Sequence, residues 1–463
     1  MTSNSWVGVI LAAGVGSRMR SSIPKPLHTL CGRTLIEQTV RTLREAGIER
    51  VVIVASPILA TDPQLLEIVE GDTGEGVTVA IQNEPRGTGH ALLSASDAAS
   101  EATHILVANA DMPLITADTV RSMLATHTDL NASITLLTGK GDVPPGFGRV
   151  KRHSEGHVIE IVEEADADEA ALSIDEFNAG YYCMNTDVAW SLLAGLEPSA
   201  KGEIYITDVV SAAVKSGAPV EAVLVSDLSE VAGINDRTEL AAAEAVMRAR
   251  ILRHWMLKGV TMIDPDATYI DSGVSIGQDT TIKPGSHLLG ETQIGMDVVI
   301  GPDTVLEDTS VNDGAVVISS HAESAVIGER ATIGPFSHLR PGSVIGPDAH
   351  IGNYAEIKDS VIGSGAKIGH FSYVGDTTVG AGANIGAGTV TCNYDGDVKH
   401  QTLIGENAFI GSGTMLVAPV SIGPGASTGA GSVVIHDVPP GERVAGVPAR
   451  SISKPDSSPS DGD

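Results

Sequence analysis

The stretch IDSGVSIGQDTTIKPGSHLLGETQIGMDVVIGPDTVL, residues 270–306, sets an aliphatic side chain at every sixth position: Ile270, Ile276, Ile282, Leu288, Ile294, Ile300 and Leu306. The period returns in Ile327, Ile333, Leu339, Ile345, Ile351 and Ile357, and again in Ile404, Ile410, Leu416, Ile422, Thr428 and Val434. Six matches neither the 3.6-residue turn of an α-helix nor the two-residue alternation of a half-buried strand. It predicts a parallel β-helix, in which each hexad makes one short side and its aliphatic points into a narrow core. Gly277, Gly295, Gly301, Gly328, Gly334, Gly346 and Gly352 follow those aliphatics and read as tight corners, where glycine tolerates backbone angles that other residues resist.

The rest of the chain is long enough for one or two further domains, at 463 residues in all. A formal charge of −29 argues against nucleic acid as a partner, because phosphate binding needs a basic face. Anionic substrates must then meet local cations or a metal. Aromatics make up 3% of residues, which suits a solenoid too thin to hold them. Cys31, Cys183 and Cys392 are far apart, giving neither a disulfide framework nor a zinc site, and fit a reducing cytosol. Val7 to Ala13 breaks at Gly14 without a basic leader, so it reads as a strand. No stretch is long enough to span a bilayer, and the expected location is cytoplasmic, with no membrane partner.

Residues 1–235 alternate short β-branched runs with helical patterns. Candidate strands are Val7–Leu11, Val51–Val54, Val77–Ile81, Ile105–Ala108, Ile134–Leu137 and Val220–Val225. This alternation predicts an α/β domain, a mostly parallel sheet covered by helices on both faces. Residues 236–258 lack Gly and Pro and read as a linker helix capped near Asn235–Asp236. The solenoid occupies 259–450, and the Ser, Pro and Asp-rich tail, 451–463, reads as disordered. One segment breaks the hexads, Thr391 to Leu403, and a loop leaving a regular scaffold is where a site is usually built.

The first strand runs into Leu11-Ala12-Ala13-Gly14-Val15-Gly16-Ser17-Arg18-Met19, followed by Pro24-Lys25-Pro26-Leu27. A small-residue loop after a strand exposes backbone N–H groups that can ring a phosphate, with Arg18 and Lys25 as side-chain cations. Gly-x-Gly alone equally fits a plain tight turn, since it lacks the third glycine of a dinucleotide fingerprint. The whole string resembles the opening of sugar-1-phosphate nucleotidyltransferases. Further matches follow in order: Gln82 with Gly87-Thr88-Gly89, Asn109-Ala110-Asp111, Gly148-Arg149, Glu163, Asn178-Ala179-Gly180 and Asn235. The resemblance implies a Rossmann-like nucleotidyltransferase domain. Leu11, Ala12, Ala13, Gly14, Lys25, Gln82, Gly87, Thr88, Asn109, Ala110 and Asp111 would bind UTP there. Gly148 with Arg149, Glu163 and Asn178 would contact the sugar, and Asn235 would complete the nucleotide-sugar site as the second metal ligand. It further implies Mg²⁺ on Asp111 and Asn235, with Arg18 and Lys25 catalytic through the charge on the leaving pyrophosphate.

A second polar set interrupts the hexads: Arg340, Glu356, Lys358, His370, Tyr373, Asn384, Asn393, Tyr394 and Lys399. An amine attacks a thioester only after losing its proton, so a base poised near neutrality is required, and His370 fits. With the first half, this set resembles the bacterial bifunctional enzymes that make UDP-N-acetylglucosamine, over residues 5 to 450. That resemblance implies a left-handed parallel β-helix and a homotrimer with shared acetyl-transfer sites. It implies acetylation of glucosamine-1-phosphate by acetyl-CoA, then uridylyl transfer from UTP to N-acetylglucosamine-1-phosphate, feeding peptidoglycan and lipopolysaccharide-type precursors. Arg340, Lys358, Tyr373, Asn384 and Lys399 would bind glucosamine-1-phosphate, and Glu356 would orient His370. Ala387, Asn393, Tyr394, Ser412, Ala430 and Arg450 would bind acetyl-CoA.

Three positions depart from the pattern. Asn109-Ala110 precede Asp111 where family members carry an aromatic or small residue and then glycine; Pro26 replaces an aliphatic; Ser17 replaces a threonine. The rival reading is a monofunctional sugar-1-phosphate nucleotidyltransferase with a structural or regulatory β-helix. The intact polar set on the solenoid argues against it.

Overall fold

A computed structural model describes residues 5–14, 16–71, 75–199 and 202–452. The tail expected to be disordered lies outside the described residues apart from Ser451 and Ile452. The chain divides into two compact units, Met1–Met247 and Arg248–Asp463.

The N-terminal unit is built on a nine-stranded sheet. Its main path runs Val220–Leu224, Ile134–Lys140, Glu176–Asn185, His104–Asn109, Trp6–Leu11, Arg50–Ala55 and Val77–Ile81. All six expected strands are present, and their mutual pairings are parallel. Glu176–Asn185 is antiparallel to both neighbours, and a hairpin of Arg149–Arg152 and Val158–Val162 is added beside it. Neither was foreseen, because charged residues at 149–152 and Asn178 with Gly180 mask the apolar alternation. Two buried clusters cover the two faces of the sheet. Leu11 and Asn109 end side by side in register, and Gln82 follows the edge strand at the same end. In a sheet of this kind the crevice beyond the strand carboxyl ends is where ligands sit.

The helix expected over 236–258 runs from Arg237 to Leu257. Asp236 caps it, its carboxylate accepting from the N–H groups of Thr238 at 2.8 Å and Glu239 at 3.0 Å.

The C-terminal unit winds into three sheets of 12, 10 and 9 strands, parallel but for one terminal pair. Ile270 pairs with Leu288 and Leu288 with Leu306, so three hexads close one turn. The hexad aliphatics stack into one continuous core, each almost fully buried. The glycines do their work differently from the expectation. Only Gly301 and Gly334 of the seven have positive φ, at 90° and 98°. At Gly277 a methyl group would lie 2.5 Å from the carbonyl carbon of Gly295, and at Gly328 2.7 Å from that of Gly346. These glycines exist because neighbouring turns stack backbone on backbone; the left-handed corners fall instead on residues such as Asp279, Asp297 and Asp348.

The hexad break is a closed hairpin. It leaves strand Val390–Cys392, bridges Tyr394 to Lys399 and rejoins the solenoid at Thr402–Ile404.

Candidate active sites

At the strand ends of the N-terminal unit lies a cavity of about 360 Å³. Leu11, Ala12, Ala13, Gly14, Lys25, Gln82, Gly87, Thr88, Asn109, Ala110 and Asp111 all line it. The Ala12 N–H is already given to the Val54 carbonyl at 2.9 Å, so of this loop's N–H groups that one is not open to a phosphate. Gly16 turns with φ 61°, and a methyl there would lie 2.6 Å from the Lys25 Cβ. Its absence lets Lys25 tuck beneath the loop. Gln82 is buried, its amide donating to the Gly87 carbonyl at 3.2 Å and lying 3.0 Å from His90 Nδ1.

A second cavity, about 290 Å³, opens beside the first and shares Thr88, Asn109 and Asp111 with it. Gly148, Glu163, Asn178 and Asn235 line it, as does Arg18, which was expected among the triphosphate contacts. A β-bulge between Asn178 and Tyr182 turns the Asn178-Ala179-Gly180 segment toward this space. The Asn178 amide donates to the Tyr182 hydroxyl at 2.7 Å, and its oxygen accepts from the Gly180 N–H at 3.1 Å. Burial holds the Glu163 carboxyl above the ordinary carboxylate range, opposed by a 2.6 Å hydrogen bond from the Thr207 hydroxyl.

Asp111 and Asn235 meet where the cavities join. Lys25 Nζ lies 2.6 Å from Asp111 Oδ2 and 3.3 Å from Asn235 Oδ1, and Arg18 Nη2 donates to the same Asn235 oxygen at 2.9 Å. The Ile234 N–H donates to the Asp111 carbonyl at 2.8 Å, fixing the Asn235 loop against that strand end. Two oxygens thus converge on one cationic nitrogen. Among the described residues no group of three or more His, Cys, Asp or Glu could hold a metal. One carboxylate and one amide oxygen do suit Mg²⁺, which keeps waters and takes its remaining ligands from phosphates.

On the solenoid, Arg340, Glu356, Lys358 and Tyr373 belong to the ten-stranded face. Glu356 pairs in register with Tyr373, and Lys358 with Gly375. Glu356 does not orient His370: its carboxylate accepts from Arg340 Nη1 at 2.9 Å. The partner of His370 is Asn353, whose Oδ1 lies 2.8 Å from the ring Nδ1. His370 ends a strand of the twelve-stranded face, and the ladder register places Ala387, Ser412 and Ala430 beneath it on successive turns. The result is a track of small residues leading away from one histidine. Arg450, at the far end of that track, pairs with Ala445 in the terminal hairpin.

The hairpin brings Lys399 against Lys358. The contact with Lys358 and its charge lower the pKa of Lys399; the same contact, followed by Asp359 3.3 Å away, raises that of Lys358. Two cations held together mark a place for an anion. Asn393 is buried, its amide bonded to Asp376 and lying 3.4 Å from the Tyr373 hydroxyl, so it faces the protein rather than a ligand. Tyr394 donates back to the Gly396 carbonyl within its own hairpin. Asn384 lies on the twelve-stranded face, around the corner from Arg340, Lys358 and Tyr373.

Comparison with known proteins settles the kinship of both halves. A MobA-like NTP transferase domain matches residues 8–178, and bacterial transferase hexapeptide repeats match 273–318 and 401–436. The C-terminal domain of GMPPB matches residues 321–398. The "Bifunctional protein GlmU" of Rhodococcus opacus (strain B4) is 45% identical over 452 residues, 96% of this chain and 90% of that protein. The protein of the same name from Mycobacterium tuberculosis (strain ATCC 25177 / H37Ra) is 43% identical over the same shares. The chain belongs to the GlmU family. It is therefore an enzyme with uridylyltransferase and acetyltransferase domains, the second a left-handed β-helix. The monofunctional alternative falls, since these bifunctional relatives match across both halves. No helix among the described residues is long and apolar enough to cross a membrane.

Against this family frame, residues missed in the sequence stand out. Glu203 and Tyr205 line the first cavity and Thr207 the second. The signal was the polar alternation Glu203-Ile204-Tyr205-Ile206-Thr207, which carries no family motif of its own. The segment is stitched to the Gly87 loop: the Gly89 N–H donates to the Ile204 carbonyl at 2.8 Å. A methyl on Gly87 would sit 2.5 Å from that carbonyl oxygen, so the loop approach demands glycine. Asn353 was missed too, hidden in an ordinary hexad.

Proposed function

We propose that the two cavities of the N-terminal unit hold UTP and N-acetylglucosamine-1-phosphate, and that the solenoid face near His370 acetylates glucosamine-1-phosphate from acetyl-CoA. The single observation that carries this reading is the convergence of Asp111, Asn235, Lys25 and Arg18 at the shared mouth of the two cavities. A nucleotide in one and a sugar phosphate in the other would meet there.

Asp111 and Asn235 would hold Mg²⁺, which when bound neutralises phosphate charge. The chain's own part is positional and electrostatic. The loop from Ala13 onward receives phosphate oxygens, Gln82 presents its amide to the base, and Lys25 and Arg18 stabilise charge gathering on pyrophosphate. Glu163, Asn178 and Gly148 fix the sugar. In the second site, Asn353 Oδ1 accepts from His370 Nδ1–H, leaving Nε2 as the base that takes the amine proton. Arg340, Lys358 and Lys399 meet the sugar phosphate, Tyr373 and Asn384 the sugar, and the Ala387–Ser412–Ala430 track the thioester arm, with Asn393 bracing the hairpin beside it. Arg450 lies where the far end of CoA would come.

A homotrimer belongs to the same proposal. Asn384 and the Arg340–Lys358–Tyr373 group lie on different faces of one chain, so one sugar meets both sets only if a second copy supplies one of them. Beside His370, Phe336, Tyr354 and Phe371 project from successive corners, each about 60% exposed, in a chain of only 3% aromatics. Such an apolar strip is a surface for another copy. The test supplies the purified protein with Mg²⁺, UTP, acetyl-CoA and glucosamine-1-phosphate, and follows UDP-N-acetylglucosamine, CoA and pyrophosphate while light scattering gives the mass. Failure to release CoA with any amino sugar phosphate would remove the second activity; a monomeric mass with full activity would remove the shared site.

A further inference from the structure

The two legs of the hairpin Asn393–His400 are fastened by a side-chain contact that lies outside the proposed substrate set. His400 Nε2 lies 2.6 Å from Asp395 Oδ2, joining its two legs. The other oxygen of Asp395 accepts from the N–H groups of Asp397 at 2.8 Å and Val398 at 2.9 Å, closing the turn. The His400 N–H donates to the Asn393 carbonyl at 2.8 Å. Lys399 sits between these fastenings, on the strand leg beside His400, opposite Tyr394.

That placement has a purpose only if something resists it. The side chains of Lys358 and Lys399 touch across the base of the hairpin, and when both are protonated an unrestrained loop would carry Lys399 away from its like-charged neighbour. We propose that Asp395 and His400 are positioning residues: they hold Lys399 against Lys358 before substrate arrives, so that a phosphate monoester finds two cations already placed. The inference rests on the acetyl-transfer reading above and assigns to the pair no contact with substrate. Its energetic meaning is preorganisation, in which the hairpin bears the like-charge repulsion in advance and binding does not have to.

A pair that prepares a phosphate site acts on substrate binding rather than on the chemical step. His400→Ala should raise KM for glucosamine-1-phosphate by about tenfold with kcat changed by less than about threefold. His400→Gln keeps an N–H for Asp395 and should restore most of the loss. In a Lys399→Ala background His400→Ala should cost little more, since the lysine it positions is gone. Uridylyl transfer by the same preparations, together with an unchanged solenoid melting transition, serves as the folding control. A His400→Ala enzyme with unchanged KM, or equal losses with and without Lys399, would overturn the proposal. A wild-type protein that consumes no acetyl-CoA would instead bring down the acetyl-transfer reading, and the role of the pair with it.

Discussion

The Lys25 ammonium rests 2.6 Å from the Asp111 carboxylate, at the point where the two cavities of the N-terminal unit join. Both groups are partly withdrawn from solvent, with the lysine side chain 12% exposed. The carboxylate proposed for Mg²⁺ is therefore already neutralised by a cation of the protein itself. On the proposed function, substrate phosphates would offer that lysine a new partner and leave Asp111 to hold the metal.

Removing the lysine separates these two roles. Lys25→Ala should lower uridylyl transfer by about 10²- to 10³-fold, the range for loss of one aimed charge in a phosphoryl-type transition state. The same variant should bind Mg²⁺ or Mn²⁺ more tightly without nucleotide, measured by calorimetry, because Asp111 is no longer paired. Acetyl transfer should be unaffected.

The second activity turns on a different residue. His370→Ala should reduce acetyl transfer by about 10²-fold or more while uridylyl transfer persists. Asn353→Ala removes the acceptor for Nδ1–H and should give an intermediate loss, since the ring keeps its base but not its orientation. Coupled assays of CoA and pyrophosphate release on the same preparation check both.

Much of this is legible in the sequence. The hexads fixed the solenoid because a single row of side chains fills its core. Asp111 follows a strand end, Asn235 precedes a helix cap and Lys25 opens a short proline-flanked turn, Lys25–Leu27, all places where local sequence dictates local structure. Lateral relations were not legible. Glu356 belongs to Arg340 and His370 to Asn353, because turns of unequal length set which side chains face each other across the ladder, and periodicity says nothing about that. Glu203 and Tyr205 are brought to the wall of the first cavity by a long-range bond between Gly89 and Ile204, which no local pattern announces.

Glycine substitutions distinguish the two kinds of corner. Gly277→Ala drives a methyl into the backbone of Gly295 and should cost roughly 1–3 kcal/mol, as overpacking does. Gly365, at φ 65° with open space beside it, should accept asparagine with little loss, since aspartate already occupies equivalent conformations at 279 and 297. Denaturant midpoints of the solenoid transition compare the two.

The Lys358–Lys399 pair gives acetyl transfer a pH dependence of definite sign. Lys399 loses its proton at lower pH than an ordinary lysine because it faces the Lys358 ammonium. The cation pair is complete at low pH and reduced to one charge as pH rises through that lowered value. KM for glucosamine-1-phosphate should therefore climb on the alkaline side before ordinary lysines titrate. Lys399→Arg, which stays charged, should flatten the rise.

Acid should weaken the N-terminal unit through His127. The ring is 1% exposed, lies 3.0 Å from both Thr135 Oγ1 and Asn185 Oδ1, and packs 5.5 Å from Trp6. Burial pushes its pKa down to about 4, with His104 adding to the effect and Asn185 opposing it. The folded state thus binds this proton less readily than the unfolded chain, whose histidine titrates near 6.5. The stability contribution is whole above pH 6.5 and is lost progressively as pH falls from there toward 4. The loss should reach roughly 2–3 kcal/mol at the lower limit. Urea unfolding followed by tryptophan fluorescence at pH 7.5 and pH 5 should show a falling midpoint for the wild type. His127→Gln keeps hydrogen-bonding groups but cannot titrate, so its midpoint should move much less; an equal fall in both proteins would place the acid sensitivity elsewhere.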